Sequence, residues 1–256
     1  MMEALTELLH AVGGELQHLR AAGAVEGRWE GAQFKAEADL LAHRLLVAGL
    51  SRLDPETPVL SEEDARARAG ARPARYWLID PIDGTASFAG GFDGWVTQAA
   101  LMVGGAPVLA AVHAPARGTC YNAEKGAGAR CDGRPMRLPE TGEEPRVLID
   151  NYPEPRGAAA ALMRDLGIDG YVESGSIGLK ICRVAAGEAD LFFKDVAIRD
   201  WDVAAPGLIL EEAGGLLRRL DGSRWTYDGP WEKDGLIAAG SPEVLAAADA
   251  QRGSKA

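Results

Sequence analysis

Apolar residues recur at helical spacing in the first twenty positions of the chain. They are Leu5, Leu8, Leu9, Val12, Leu16 and Leu19. Because residues three and four apart lie on the same side of an α-helix, this spacing predicts an amphipathic helix that buries one face. A second helix is predicted from about 36 to 50, with Asp39, Ala42, His43 and Leu46 along one stripe. Asp39 is therefore expected to face inward.

Short apolar segments bounded by turn residues follow in the middle of the chain. Residues 76–80 predict a strand, and residues 95–103 and 107–113 predict a hairpin about Gly104-Gly105. Residues 121–136 are rich in glycine and charge, which predicts short strands and turns.

Strands and helices alternate in the second half. The predicted strands are 146–150, a segment near 171, 190–193, 216–220 and 236–239, and the predicted helices are 157–166, 177–186, 202–213 and 242–250. This alternation indicates an α/β lobe. The polar segment 137–145 is interpreted as a boundary, so residues 1–140 are predicted to form an α+β lobe and residues 141–256 an α/β lobe.

Charge and cysteine content exclude several classes of partner. The formal net charge is −11, whereas a nucleic-acid polymer or an anionic membrane surface requires a concentrated basic face. No apolar run approaches the ~20 residues of a membrane span, and the N-terminus lacks the pattern of a secretory signal. Three widely spaced cysteines are typical of reduced thiols, so we expect a cytoplasmic protein.

The most informative segment is Trp77-Leu78-Ile79-Asp80-Pro81-Ile82-Asp83-Gly84-Thr85. An apolar strand here ends in two acids, Asp80 and Asp83, separated by a Pro-Ile turn. Two carboxylates at the end of a buried strand repel each other unless a cation lies between them. Because oxygen ligands without nearby His or Cys favour hard cations, the segment indicates Mg²⁺ or Mn²⁺ rather than Zn²⁺.

Other acids are ambiguous when each is taken alone. Glu62, in the run Ser61-Glu62-Glu63-Asp64, could belong to a helix N-terminus that favours acids. Asp202 could be an ordinary helix cap after a buried Trp201, and Asp39 could be a solvated acid on a helix.

The order of these segments resembles a known family. Asp80-Pro81-Ile82-Asp83-Gly84-Thr85 lies after Glu62-Glu63 and before Trp201-Asp202-Val203-Ala204-Ala205 and Glu211-Glu212-Ala213-Gly214-Gly215. Over nearly its whole length the chain looks like the inositol monophosphatase superfamily of Mg²⁺-dependent, lithium-sensitive phosphomonoesterases. The resemblance implies a layered α-β-α-β-α architecture and a small-molecule phosphate monoester as substrate. Members of the superfamily often dimerise, which leaves a homodimer open.

The resemblance also implies a set of metal ligands. Glu62, Asp80 and the carbonyl of Ile82 would hold a first Mg²⁺ ion. Asp80, Asp83 and Asp202 would hold a second ion, with Asp80 bridging the two, and Glu62 can also touch a third, loosely held ion.

Further residues are carried over as catalytic groups. In the family arrangement Asp39 accepts a hydrogen bond from the Thr85 hydroxyl, and Thr85 with Glu62 activates the nucleophilic water. Gly84 and Thr85 would offer backbone N–H groups to the phosphate at a helix start.

The substrate is less sharply indicated. Asp195 lies seven residues before Asp202, where inositol monophosphatases carry an acid that binds sugar hydroxyls, and this favours a polyol phosphate. Gly178-Leu179-Lys180 resembles the 3′(2′),5′-bisphosphate nucleotidase branch, and Arg199 adds a cation that suits a second phosphate, although both Lys180 and Arg199 could be surface charges.

The leading hypothesis is hydrolysis of inositol monophosphate or a similar small sugar phosphate. A 3′(2′),5′-bisphosphate nucleotidase is the main alternative. Histidinol phosphatase, fructose bisphosphatase and a binding protein that has lost catalysis are less favoured.

Overall fold

The structure is a computed structural model, and it describes residues 1–21, 33–65, 69–139 and 145–253, with the side chains of 33–36 and 251–253 outside the description. Its helices are α1 (Met2–Ala21), α2 (Gln33–Leu53), α3 (Thr85–Ala89), α4 (Gly157–Leu166), α5 (Ile177–Ala185), α6 (Asp200–Glu212) and α7 (Pro242–Gly253). Its strands are β1 (Val59–Ser61), β2 (Arg75–Asp83), β3 (Val96–Val103), β4 (Ala106–Ala114), β5 (Thr119–Glu124), β6 (Gly128–Cys131), β7 (Arg134–Met136), β8 (Val147–Asp150), β9 (Gly170–Glu173), β10 (Leu191–Arg199), β11 (Leu216–Arg218) and β12 (Glu232–Ala239).

The first half of the chain forms a seven-stranded sheet with strands in sequence order, from β1 to β7. The strand β1 is parallel to β2, and each later pair is antiparallel. The predicted hairpin about Gly104-Gly105 is confirmed as β3 and β4. Helices α1 and α2 cover one face of this sheet, and Leu5, Leu16 and Trp77 lie in their shared apolar cluster.

The second half forms a five-stranded sheet of order β11-β12-β10-β8-β9. Helices α5 and α6 lie between the two sheets, because residues such as Leu179 and Leu208 share one apolar cluster with Tyr76 and Phe192. Helices α4 and α7 contribute Leu162 and Val244 to a third cluster with β8, β10 and β12. The layers therefore alternate α-β-α-β-α, and the predicted fold class is confirmed.

Several elements differ from their sequence predictions. The strand β1 has 3 residues and was not predicted, because so short a segment carries no measurable periodicity. The strand β10 continues to Arg199 instead of ending at residue 193, and β2 continues through Asp83 instead of ending at Asp80. Both extensions cross an irregularity in the ladder, which hides the regular alternation of a strand.

The division into lobes at residues 140 and 141 stays a prediction. Residues 140–144, within the predicted boundary, lie outside the described part of the chain. The core between the sheets contains residues of both predicted lobes. None of the described helices is both long enough and apolar enough to cross a membrane.

A buried ionic cluster fixes the start of α6. Asp200 is completely buried, and its carboxylate lies 2.7 Å from both the Arg72 guanidinium and the Lys233 ammonium. The indole N–H of Trp225 donates to the same carboxylate at 3.1 Å, and Arg72 stacks 3.7 Å from the ring centroid of Trp231. The cluster joins three distant segments around the first residue of the helix.

We expect Asp200→Ala to lower the free energy of unfolding by about 3–5 kcal/mol, because the change leaves two cations unpaired in a buried site. Chemical denaturation of the purified variant measures this loss. Asp169→Ala, at an exposed acid, is the control and should change stability by less than about 0.5 kcal/mol. Equal stabilities of the two variants would contradict the assigned role of Asp200.

Candidate metal centre

A bulge in β2 brings two acids to the same face of the strand. Asp80 pairs with Gln98 and Asp83 with Val96, so Pro81 and Ile82 together oppose Thr97. Residues three apart point to opposite faces of a regular strand, but one extra residue restores a common face. The bulge therefore allows Asp80 and Asp83 to act together.

Glu62 reaches the same place from the neighbouring strand. The strand β1 runs parallel to β2 and pairs Ser61 with Ile79, and the backbone N–H of Glu62 donates to the Ile79 carbonyl at 3.4 Å. The turn is held by the Ser61 hydroxyl, which lies 2.9 Å from Nδ1 of His43 and accepts from the N–H of Glu63 at 3.2 Å. The parallel register thus sets Glu62 beside Asp80.

Asp202 comes from the first turn of α6. Its carboxylate accepts from the backbone N–H of Arg199 at 3.0 Å, which caps the helix. The Arg199 side chain is about half exposed and lies 3.7 Å from the Glu62 carboxylate. Asp202 and Glu62 therefore approach the site from two elements that are far apart in sequence.

The charges of these acids act on one another. Burial raises the pKa of Asp80 well above its usual range, and the negative charges of nearby acids raise it further. The contributing acids are Glu62, Asp83, Asp202 and Asp39. Burial also raises the pKa of Asp83, and burial together with the charge of Asp83 raises that of Asp202. Five of the predicted site acids thus form one electrostatic cluster around Asp80.

The cluster fits a divalent cation. Asp80 is 1% exposed, and its Oδ1 atom is buried without a hydrogen-bond partner among the described residues. A buried carboxylate oxygen in a group of like charges is costly unless a cation compensates it. The donor atoms of these acids are carboxylate oxygens, which suit Mg²⁺ or Mn²⁺.

Asp83 is also held from behind by a helix. The backbone N–H groups of Ile177 and Gly178, at the start of α5, donate to its two oxygens at 3.3 and 2.5 Å. A Cβ on residue 178 would lie 2.6 Å from Oε1 of Gln98 and 3.0 Å from Oδ2 of Asp83. Gly178 is thus required for this close contact, a role that local sequence patterns do not reveal.

Thr85 and Asp39 occupy the expected region. The Thr85 hydroxyl donates to the Ile82 carbonyl at 3.0 Å, and Gly84 before it has φ of 87°, in the left-handed region. Asp39 is 3% exposed, and its charge contributes to the raised pKa of Asp80. The inward orientation predicted for Asp39 is confirmed, whereas its hydrogen bond with Thr85 stays a prediction.

The three residues on which the predicted choice of substrate rests, Asp195, Lys180 and Arg199, lie in different environments. Asp195 is exposed in the bulge of β10, where Asp195 and Val196 oppose Gly235, and Arg199 is exposed at the end of the same strand. Lys180 is completely buried. Its ammonium donates to the Gly175 carbonyl at 2.7 Å and to Oδ1 of Asn151, and burial lowers its pKa to about 7.

Residues 2–254 match the model of the inositol monophosphatase family. The chain is similar to the putative Nus factor SuhB of Neisseria meningitidis serogroup B, with 33% identity over 221 residues, 83% of this chain and 82% of the relative. It is also similar to the 3′(2′),5′-bisphosphate nucleotidase CysQ of Escherichia coli K12, with 33% identity over 195 residues, 74% of this chain and 78% of the relative.

Solved structures agree with this assignment. An IMPase of Thermotoga maritima superposes with a TM-score of 0.78 at 27% identity, covering 97% of this chain and 96% of the other. Inositol monophosphatase II of Staphylococcus aureus superposes with a TM-score of 0.78 at 19% identity, covering 95% and 91%, and shares the fold. With its whole-length family match, the chain belongs to the inositol monophosphatase family of metal-dependent phosphatases and is a phosphoric monoester hydrolase.

Proposed function

We propose that this chain is a Mg²⁺-dependent phosphomonoesterase that hydrolyses inositol monophosphate or a similar small polyol phosphate. The observation that carries the proposal is the cluster of acids around the buried Asp80, whose Oδ1 is unpaired among the described residues. Such a cluster stores repulsion that a divalent ion relieves. Mn²⁺ has the same ligand preference and is the alternative ion.

In this proposal the ligands follow the expected assignment. Glu62, Asp80 and the Ile82 carbonyl hold one ion, and Asp80, Asp83 and Asp202 hold another, with Glu62 available to a third. The Ile82 carbonyl has two lone pairs, so its hydrogen bond from Thr85 leaves one for a cation. When bound, the ions lower the pKa of water and neutralise charge on the phosphoryl oxygens and the leaving alkoxide.

The protein supplies orientation and a proton acceptor. Glu62 has a side chain that is 28% exposed, so it can reach a water molecule on the substrate side and accept its proton. The Thr85 hydroxyl orients that water in the proposed mechanism, with Asp39 beneath the site as a further acceptor. The N–H groups of Gly84 and Thr85 are proposed to bind the phosphate.

The different exposure of Asp195 and Lys180 favours a polyol phosphate as substrate. Asp195 is exposed and can accept hydrogen bonds from sugar hydroxyls. For Lys180 to bind a second phosphate, its ammonium would have to leave the Gly175 and Asn151 oxygens and cross a buried region. Arg199 is exposed near Glu62 and is the better candidate for contact with an anionic substrate.

A 3′(2′),5′-bisphosphate nucleotidase is the second candidate. Relatives named CysQ carry that activity in their names, and the Leu179-Lys180 pair resembles that branch. Histidinol phosphate and fructose bisphosphate are less favoured substrates. A binding protein without catalysis is disfavoured, because it would have no chemical use for acids that repel one another.

We also propose that the partner is a small molecule, with neither a nucleic-acid polymer nor a membrane as ligand. The net charge of −11 supports this, because nucleic acids and anionic membranes repel a negatively charged protein. A cytoplasmic location and a homodimer remain part of the proposal, supported by the cysteine pattern and by the resemblance.

We expect Asp80→Asn to abolish most Mg²⁺-dependent phosphate release, with a loss of several kcal/mol of transition-state stabilisation. The metal-free variant should be more stable than the metal-free wild type at neutral pH, because one repelling charge is gone. This advantage should shrink as pH falls toward the usual aspartate pKa of 3.8. Because the pKa of Asp80 is raised in the folded state, the folded wild type binds this proton at a higher pH than the unfolded chain does, and the repelling charge disappears. A fully active Asp80→Asn enzyme would refute the metal assignment.

The choice of substrate is tested by Asp195→Asn, which removes a charge at constant size. With a polyol phosphate, kcat/KM should fall on the order of tenfold to a hundredfold, as for a lost charge-assisted hydrogen bond of ~1.5 to 3 kcal/mol. With a nucleoside bisphosphate, turnover should persist or improve because repulsion is relieved. Asp169→Asn, at an exposed acid in the loop between α4 and β9, is the matched control.

Lys180→Met tests the alternative substrate, because it removes the cation that would bind the second phosphate of a nucleoside bisphosphate. A loss confined to nucleoside bisphosphates, together with faster wild-type hydrolysis of 3′-phosphoadenosine 5′-phosphate than of any inositol phosphate, would overturn the polyol assignment. An equal loss on every substrate would indicate that Lys180 supports the fold around Asp83.

Family resemblance further predicts inhibition by Li⁺ at concentrations at which Na⁺ has no effect. The proposed reason is a weakly held Mg²⁺ site that Li⁺ can enter after hydrolysis. Phosphate release at saturating Mg²⁺ with matched LiCl and NaCl concentrations measures this. Equal responses to both salts would remove the support for lithium sensitivity.

A further inference from the structure

A histidine and a cysteine face each other on two strands away from the carboxylate cluster. His113 of β4 is the direct cross-strand partner of Cys120 of β5. Side chains at such positions have Cβ atoms roughly 4.5–5.5 Å apart and share one face of the sheet. Both residues are buried, and β4 lies two strands from β2 in the sheet order.

The helix α1 adds a second imidazole to this pair. Thr6, His10 and Gly13 follow one another at spacings of four and three, so they form a stripe on one side of α1. The His10 and His113 rings meet edge to face with centroids 4.4 Å apart. A Cβ on residue 13 would lie 2.6 Å from Cδ2 of His113 and 2.9 Å from its Nε2. Gly13 thus makes room for the His113 ring against the helix.

The three side chains converge on one point. One ligand atom each from His10, His113 and Cys120 lies within 4.8 Å of the other two. His10 is exposed, whereas His113 and Cys120 are buried, so the cluster opens to solvent on the helix side. An exposed histidine can change its side-chain rotamer at little cost, which allows the small contraction that metal bonds of about 2.0–2.3 Å require.

Hydrogen bonds around the cluster leave the ligand atoms available. Nδ1 of His113 lies 3.2 Å from the Thr119 carbonyl, which can only accept, so Nδ1 carries the hydrogen and Nε2 keeps its lone pair. An imidazole whose second nitrogen donates to a backbone carbonyl is the usual arrangement of a metal-binding histidine. Burial raises the pKa of the Cys120 thiol to about 12, an effect that the Thr6 hydroxyl only partly opposes, and the thiol donates weakly to the Tyr121 carbonyl at 4.0 Å. The thiol therefore gives up its proton only when a metal ion binds the sulfur.

We propose that His10, His113 and Cys120 form a second metal site, which binds a transition-metal ion of the zinc class. Two imidazoles and one thiolate are a borderline-soft donor set, which Mg²⁺ disfavours and Zn²⁺ accepts in tetrahedral geometry with a water as fourth ligand. Binding releases the Cys120 thiol proton to solvent as the sulfur–metal bond forms. The ion would join α1 to the sheet that carries Asp80 and would take no part in phosphate hydrolysis.

The test is a titration of the full-length protein with Co²⁺ in saturating Mg²⁺, followed by displacement with Zn²⁺. One equivalent of Co²⁺ should produce thiolate-to-cobalt charge-transfer absorption, and Zn²⁺ should remove it. Carboxylates cannot give this absorption, so Asp80→Asn should retain it. The readout is therefore independent of the proposed phosphatase activity.

Matched variants identify the ligands. His10→Ala should weaken Co²⁺ binding by about tenfold to a hundredfold or more. Removing a residue that only orients a metal ligand already causes a loss of this size. His18→Ala, at an exposed histidine on the same helix, should bind Co²⁺ like the wild type. Cys120→Ser should lose the absorption, and Cys131→Ser should keep it.

The proposal is overturned if the wild type gives no sulfur-to-cobalt absorption, if the absorption persists in Cys120→Ser, or if His10→Ala and His18→Ala bind Co²⁺ equally. His10 is exposed, so its variant tests the site even if Cys120→Ser does not fold. Circular dichroism checks that every variant is folded, and Mg²⁺-dependent phosphate release checks in addition that the histidine and cysteine variants are intact.

Discussion

The repulsion among buried carboxylates around Asp80 is the constraint on which the arrangement of this protein depends. The acids come from α2, the end of β1, the bulged β2 and the first turn of α6, so distant segments must converge against their own electrostatics. Part of the cost of this repulsion is offset by the hydrogen bonds that Asp83 and Asp202 accept from backbone N–H groups. Asp200 is neutralised by two cations, whereas Asp202, two residues later, belongs to the acid cluster around Asp80. The fold thus places an ion-paired acid and an acid of the repelling cluster within a single helical turn.

The hydrophobic pattern predicted the long elements well, because α1 buries one regular face and β2, β3 and β4 are apolar segments buried at nearly every position. The hexapeptide at residues 80–85 identified two acids of the cluster, the order of the motifs supplied Glu62 and Asp202, and helical spacing predicted that Asp39 faces inward. The bulge at Pro81 and Ile82 was not predicted, since it interrupts the period on which strand prediction rests. The contact of Asp83 with Gly178 joins residues 95 positions apart, and no local pattern encodes such a distance.

Lys180 illustrates how a charge in a sequence does not reveal its environment. Its position after Leu179 suggested contact with a second phosphate, yet its ammonium is fully buried against the Gly175 and Asn151 oxygens. The positive charge of Lys180 also counteracts the rise in the pKa of Asp83. We therefore interpret Lys180 as a support for Asp83 from behind, whereas Asp195 and Arg199 are exposed at the surface.

The two proposed metal sites differ in the chemistry of their donor atoms. Oxygen ligands surround Asp80, whereas imidazole nitrogens and a thiol surround the contact of α1 with β4 and β5. When both kinds of ion are present, hard ions such as Mg²⁺ prefer the oxygen site, and borderline-soft ions such as Zn²⁺ prefer the site with nitrogen and sulfur ligands. Zn²⁺ can still enter the oxygen site, because carboxylates also bind it. Of the two sites, only the one at Cys120 offers a thiolate, so charge-transfer absorption from sulfur distinguishes the two sites in the same protein.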